Sequence, residues 1–305
     1  MKNRGYVYVD RVPAADEGVS VAAFYTHHYP HSTGEEWRRR IEGDQVLLNG
    51  RPATPDGLLA RGDRLSYHRS PWEEPEAPAD FGTLFEDEDV LVLAKPSGLP
   101  VLPGGMFLEN TLLALARRRY GDGCSPVHRL GRGTSGVILF SRNARAARLL
   151  ATAMRERRIL KIYLALASGT AMPDAFTIDA PIGPLPYRRP AALHAYSPDG
   201  RPSVSHVRVI RRLPEENAAL LEVTIPTGRP HQIRIHLSYA GFPLVGDPLY
   251  ERGGIPRAEA ADEEEAATPG QTGYLLHSWK IRFPHPSGEK EVEVVCPPPP
   301  GLDPG

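Results

Sequence analysis

The sequence predicts an α+β protein: a small N-terminal module with a basic helix, then a larger domain around a long, largely antiparallel sheet. Three observations carry this. β-prone and helical runs are mixed without the regular βαβ alternation that a parallel sheet requires. Two β runs, V-S-H-V-R-V-I (204–210) and A-L-L-E-V-T-I (219–225), alternate as half-exposed strands do. A Pro- and Glu-rich stretch without periodicity, P-W-E-E-P-E-A-P-A-D (71–80), reads as a linker between segment 1–70 and segment 81–305. With 305 residues the chain is long enough for a substantial core.

In the N-terminal segment, E-E-W-R-R-R-I-E-G (35–43) spaces Trp37 and Ile41 four apart, on one helical face beside three arginines. Gly43 is the expected helix stop. Q-V-L-L-N-G-R-P (45–52) predicts a short strand closed by an Asn49-Gly50 hairpin turn, and G-D-R-L-S-Y-H (62–68) predicts a second strand. The residues before 35 are His-rich and are expected to be irregular. After the linker, D-V-L-V-L-A-K-P (89–96) predicts a buried strand stopped by Pro96. N-T-L-L-A-L-A-R-R-R-Y (110–120) predicts a helix, V-I-L-F (137–140) a strand, and A-R-A-A-R-L-L-A-T-A-M-R-E-R (144–157) a second helix. I-L-K-I-Y-L-A-L-A-S-G (159–169) is β-prone, and a short helix is expected between Pro230 and Gly241. Residues 252–272, with Gly-Gly, Pro and an acidic run, read as a surface insertion.

A net charge of −1 does not advertise a nucleic-acid partner, but the charges are unevenly spread. Arginines gather at 38–40, at 117–119, and at 155–158 with Lys161, whereas acids gather at 86–89 and 261–265. Local basic faces bind phosphates, although a single such cluster is more often a solvated helix face. The two cysteines, Cys124 and Cys296, lack paired spacing, which argues against a disulfide framework or a zinc site and suits a reducing cytosol. No N-terminal apolar run reads as a signal peptide, and no stretch approaches the ~20 apolar residues of a membrane helix. A cytoplasmic protein without membrane contact is expected, its oligomeric state left open.

Taken singly, the chemical motifs have bland readings. Tyr163 alone is a sheet tyrosine with a satisfied hydroxyl, and Arg234 alone is a structural ion-pair arginine. His231 and His236 are five apart rather than the i, i+4 of a helical zinc pair, so no metal is expected. G-R-G-T-S-G (131–136) lacks the lysine of a phosphate-binding P-loop, and Ser135 lacks the frame of a hydrolase elbow.

Five stretches in order carry more than any one of them: D-V-L-V-L-A-K-P-S-G-L-P-V (89–101), V-H-R-L-G-R-G-T-S-G (127–136), K-I-Y-L-A (161–165), T-G-R-P-H-Q-I-R-I-H (227–236) with G-D-P-L-Y (246–250), and L-L-H-S-W-K-I-R-F-P-H-P (275–286). Together they closely resemble the RluA-type RNA pseudouridine synthases over roughly residues 84–295. The basic helix, V-x-x-N-G turn and G-D-x-L strand likewise resemble a small RNA-binding domain that many RNA-modifying enzymes carry. The resemblance implies an isomerase that turns uridine into pseudouridine in structured RNA, rRNA or tRNA, without a cofactor. The target base is flipped out, its glycosidic bond is cleaved, and carbon five is joined to the ribose. It implies that Arg129 enters the RNA stack, that Tyr163 stacks on the uracil and is a candidate to take the ring proton, and that Leu276 packs the pocket. His128 and Lys161 fall in the same motifs and are grouped with the substrate-binding residues. Arg234 matches the arginine that pairs with the family's catalytic aspartate.

That aspartate is missing. The residue after H-R-L is Gly131, and residue 133 is glycine as well. Glycine cannot attack or accept a proton, so the usual mechanism cannot run through this position. Three explanations stay open: a relocated carboxylate, with Asp247 and Asp122 as candidates; RNA binding without modification; or a slow reaction through water. A buried, unpartnered Arg234 would be costly, so some anion is expected at it, either a relocated carboxylate or an RNA phosphate. The otherwise intact motifs favour an enzyme.

Overall fold

The computed structural model describes residues 2–186, 192–257, 270–288 and 290–305. The chain forms two compact units, Met1–Glu74 and a larger one of Pro75–Pro186 with Ala192–Gly305.

In the smaller unit, β1 (Tyr6–Arg11) is followed by α1 (Val21–His28), α2 (Gly34–Glu42), β2 (Val46–Leu48), β3 (Arg51–Pro52) and β4 (Arg64–Arg69). The antiparallel sheet runs β1-β4-β2-β3. Helix α2 starts with a capping box, in which Thr33 and Glu36 each bond the other's backbone N–H, and it buries Trp37 and Ile41. Asn49 and Gly50 both have positive φ, 50° and 82°, as a tight hairpin turn requires. The expected irregularity before residue 35 is overturned: β1 and α1 lie there. Helix α1 buries Val21, Ala22, Phe24 and Tyr25, which share one helical face. Tyr25 stacks on Trp37 at 4.6 Å, so aromatic packing fixes that face against α2.

The larger unit contains β5 (Gly82–Glu86), β6 (Val90–Lys95), α3 (Leu112–Tyr120), β7 (Ser125–Pro126), β8 (Ser135–Ser141), α4 (Ala144–Arg155), β9 (Leu160–Ser168) and β10 (Ala175–Asp179). β11 (Ile182–Pro186), β12 (Ala192–Tyr196), β13 (Val204–Leu213), β14 (Ala218–Thr224), α5 (Gln232–Tyr239), β15 (Leu276–Pro284) and β16 (Glu291–Val295) follow. The main sheet runs β10-β13-β14-β9-β15-β8-β6-β5, with β16 on β15 and β7 on β8; β11 and β12 form a separate hairpin. The fold is therefore α+β on a long, largely antiparallel sheet. The exception is the β15–β8 pair, which is parallel.

Both faces of the sheet centre are covered, which explains its unbroken apolar runs. In β6 and β8, Leu91, Leu93, Ile138 and Phe140 point into one core. Val90, Val92, Val137 and Leu139 point into the other, under Leu150 and Ala153 of α4. Strand β14, expected to be half-exposed, is almost wholly buried because both its faces are covered: Ala219, Leu221 and Val223 pack into one core, Ala218 and Leu220 into another with Leu302. Most of the expected insertion at 252–272, namely 258–269, lies outside the described residues.

One close approach positions the site. Gly136, at φ +108°, sits where an added Cβ would lie 2.1 Å from the carbonyl oxygen of Ser278. Only glycine fits there. The contact stitches the start of β15 against the start of β8, and so brings residues 274–276 beside the loop that carries Gly131.

Candidate active site

The loop 127–134 is held from several sides. His128 Nε2 accepts the N–H of Leu139 at 3.2 Å, pinning the loop's start to β8. The buried Lys95 ammonium donates to the carbonyls of Pro96, Leu99 and Arg132 at 2.7–3.1 Å. Burial, helped by Arg132, pulls the Lys95 amine down to about 7. The Ser97 hydroxyl donates to Gly133 O, and Thr134 N–H closes a turn on Gly131 O. A buried, hydrogen-bonded backbone of this kind holds Gly131 in one place.

Helix α5 supplies the cationic centre. Its entry is buckled by Gln232, whose amide oxygen accepts from Thr227 Oγ1 and Arg229 N–H, while its amide nitrogen donates to Val204 O. Arg234, two residues on, is fully buried. Its Nε and one terminal nitrogen each donate to Asp247 at 2.7 Å, a bidentate pair of the strong type. Asp247 also accepts the N–H groups of Leu249 and Tyr250. Burial opposes the charge on Arg234, but the Asp247 pair outweighs it and raises the guanidinium's pKa. The ring of Tyr274 lies 4.2 Å from the guanidinium carbon and that of Tyr250 lies 5.1 Å away. The remaining nitrogen, Nη1, is buried and has no hydrogen-bond partner among the described residues.

His231 caps this helix in the left-handed conformation, φ 54°. Tyr250 Oη donates to His194 O, so it accepts from His231 Nδ1, which carries the proton. Burial and Arg234 push His231 down to about 3, leaving a neutral ring.

A narrow cleft is lined by Arg129, Leu130, Gly131, Thr134, Tyr163, Ile225, Arg229, His231, Gln232, Ile233, Arg234, Tyr274 and Leu276. The structure thus brings together five of the sequence-derived site residues, Arg129, Gly131, Tyr163, Arg234 and Leu276. Through Arg129, Tyr163, Ile225 and Arg229 the cleft is continuous with an outer cavity of 470 Å³ that adds His128, Arg155, Arg157, Lys161 and Thr227. Among the described residues, no carboxylate lines either part. Burial pushes the Tyr163 hydroxyl up to about 12, against a hydrogen bond with Ser278, so at neutral pH it is a phenol. Burial lowers Lys161 to about 8, and burial with Lys161 nearby lowers His128 to about 3.

Two expectations need correction. Asp247, a candidate relocated acid, lies behind Arg234, outside the cleft lining, and its oxygens are already occupied. It is the anchor of Arg234, so the carboxylate expected at that arginine is present as a resident partner and not as an acid in the cleft. Asp122 is exposed in the turn after α3 and lines neither part of the cleft. Sequence reasoning also missed Tyr274. It lies in a bend before β15 begins, after Gly273 at φ 117°, so no strand period marks it in the sequence.

The mixed α+β fold thus gathers a buried arginine, a buried tyrosine and a basic approach at one cleft. The RNA pseudouridylate synthase family matches residues 89–239, and the chain belongs to that family, whose members are isomerases. An uncharacterised RNA pseudouridine synthase of Synechocystis is 41% identical over 92% of this chain and 94% of its own. RNA pseudouridine synthase 5 of Arabidopsis thaliana is 38% identical over 98% of this chain and 94% of its own. The ribosomal large subunit pseudouridine synthase D of Xanthomonas campestris is 33% identical over 95% of this chain and 89% of its own. Among solved structures, human RNA pseudouridylate synthase domain containing 1 superposes with a TM-score of 0.56 at 26% identity, covering 76% of this chain and 89% of that one.

Proposed function

We propose that the protein converts uridine to pseudouridine at a flipped-out base in rRNA or tRNA, in the cytoplasm. The observation that carries this reading is the convergence of Tyr163, Arg234 and Leu276 on one narrow cleft that opens onto a basic cavity. In this reading Tyr163 stacks on the uracil, as aromatic rings do with bases, and Leu276 packs its edge. Arg129, exposed where the two parts of the cleft meet, fills the stack that the base leaves. The free nitrogen of Arg234 meets the ribose or its phosphate, and Arg155, Arg157, Arg229 and Lys161 take the flanking phosphates. His128 holds the loop that presents Arg129. Asp247 acts by positioning Arg234.

The N-terminal unit adds RNA contacts through Arg39, which is exposed; the other two arginines of that cluster are engaged, Arg38 with Asp56 and Arg40 over Trp37. Removing residues 1–74 is expected to weaken RNA binding and leave the cleft folded.

The test is pseudouridine mapping of rRNA and tRNA from cells with and without the gene, followed by conversion of the unmodified RNA by purified protein. A site that disappears in the deletion and returns with the protein supports the reading. Tight RNA binding with no pseudouridine formed anywhere would replace it with a binding protein.

A further inference from the structure

The two glycines of the 127–136 loop and Tyr274 occupy one another's space. A Cβ on residue 131 would lie 3.1 Å from Tyr274 Oη, and a Cβ on residue 133 would lie 2.9 Å from the ring carbon that bears that hydroxyl. Neither glycine carries a positive φ, so backbone geometry does not require glycine at either position. What both positions lack is room, and the tyrosine takes it. Tyr274 is 4% exposed, its ring is held against the Arg234 guanidinium, and among the described residues its hydroxyl has a single long hydrogen bond, 3.4 Å to Thr134 Oγ1. A hydroxyl therefore stands beside the buried arginine in the cleft, at the loop position where a carboxylate side chain would begin.

We infer that Tyr274 is the catalytic group of this enzyme, its phenol oxygen acting at ribose C1′ in place of a carboxylate. This rests on the isomerase function proposed above. Tyrosine serves as the nucleophile at an anomeric carbon in other glycosyl-transferring sites. The phenol oxygen bonds to C1′ as the C1′–N1 bond breaks; the bonding pair leaves with the uracil, whose N1 takes the phenol proton. The base turns, and C5 bonds to C1′ as the C1′–O bond breaks and its pair returns to the tyrosine oxygen. That oxygen then accepts the proton lost from C5. The net change moves one hydrogen from C5 to N1, so no co-reactant is needed. Tyr163, held as a phenol, remains the stacking platform.

The experiment measures single-turnover pseudouridine formation, and RNA affinity, on the RNA in which mapping finds a wild-type-dependent site. Tyr274→Phe should lose about 100-fold or more in rate while binding that RNA as wild type does. The double variant Tyr274→Phe with Gly131→Asp should recover at least about tenfold of that loss, because removing the hydroxyl opens the space that a carboxylate on residue 131 needs. A merely structural tyrosine would not be rescued in this way. Replacing Tyr274 by 3-fluorotyrosine keeps its shape, so it serves if the phenylalanine variant fails to fold; it should move the pH–rate profile to lower pH. A Tyr274→Phe enzyme working near the wild-type rate, or an unmoved pH profile, overturns the inference while leaving the isomerase reading intact. A wild type that forms no pseudouridine overturns both.

Discussion

The inner cleft and the outer cavity share residues yet handle charge in opposite ways. Inside, Arg234 is buried, clamped by Asp247 and in contact with two tyrosine rings. Outside, Arg155 and Arg157 are exposed on the end of α4, and their neighbour Arg158 merely pairs with Glu156 in solvent. A buried charge with its partner removed is expensive, whereas an exposed one is screened and adjustable. The inner arginine is thus built to hold geometry. The outer ones present adjustable positive charge to solvent.

The largest effect should come from breaking the inner clamp. Asp247→Ala leaves a buried guanidinium without its partner and should cost about 3–5 kcal/mol of stability, read by denaturant unfolding, together with most of the activity. Glu156→Ala, the matching cut outside, should cost less than about 1 kcal/mol. Equal costs at the two sites would abolish the distinction.

The next effect is on pH. His231 is held near 3 in the folded chain against an ordinary value of 6.5, so the unfolded chain takes up a proton that the folded chain refuses. Stability must therefore fall as pH falls from about 6.5 toward 3, by up to about 1.4 kcal/mol per pH unit for one such histidine. His231→Gln should flatten that acid limb in thermal melts, and an unchanged limb would mean that the ring is not held neutral.

In the outer cavity, Arg155→Ala with Arg157→Ala should reduce the slope of log affinity against log salt by about 1–2. The rate at saturating RNA should not change. A rate loss at saturation would move these arginines into the inner group. The smallest effect lies outside both regions: Thr33→Ala removes half of the capping box of α2 and should cost about 1 kcal/mol in the small unit, without altering the saturated rate.

Much of this was legible in the chain. The strands β6, β8 and β9 and the helices α3, α4 and α5 follow from apolar runs, caps and breakers. Tyr163, Arg234 and Leu276 could be named from motif order. Strand β1 was not legible, because Tyr6–Arg11 is mostly exposed and is a strand only through its pairing with β4. Asp247 was singled out but given the wrong task, since nothing in G-D-P-L-Y says which face of Arg234 it meets.

The sequence by itself determined the local elements, the motif residues and the absence of an acid at position 131, because periodicity, turn chemistry and residue identity depend on near neighbours. Only the tertiary structure decided what fills the space left by that glycine and which anion holds Arg234. Thr134 and Tyr274, which touch in the cleft, are 140 residues apart in the chain, and they meet because β15 docks against β8 at Gly136. Contacts of that range are set by the packing of the sheet, which no local window of sequence contains.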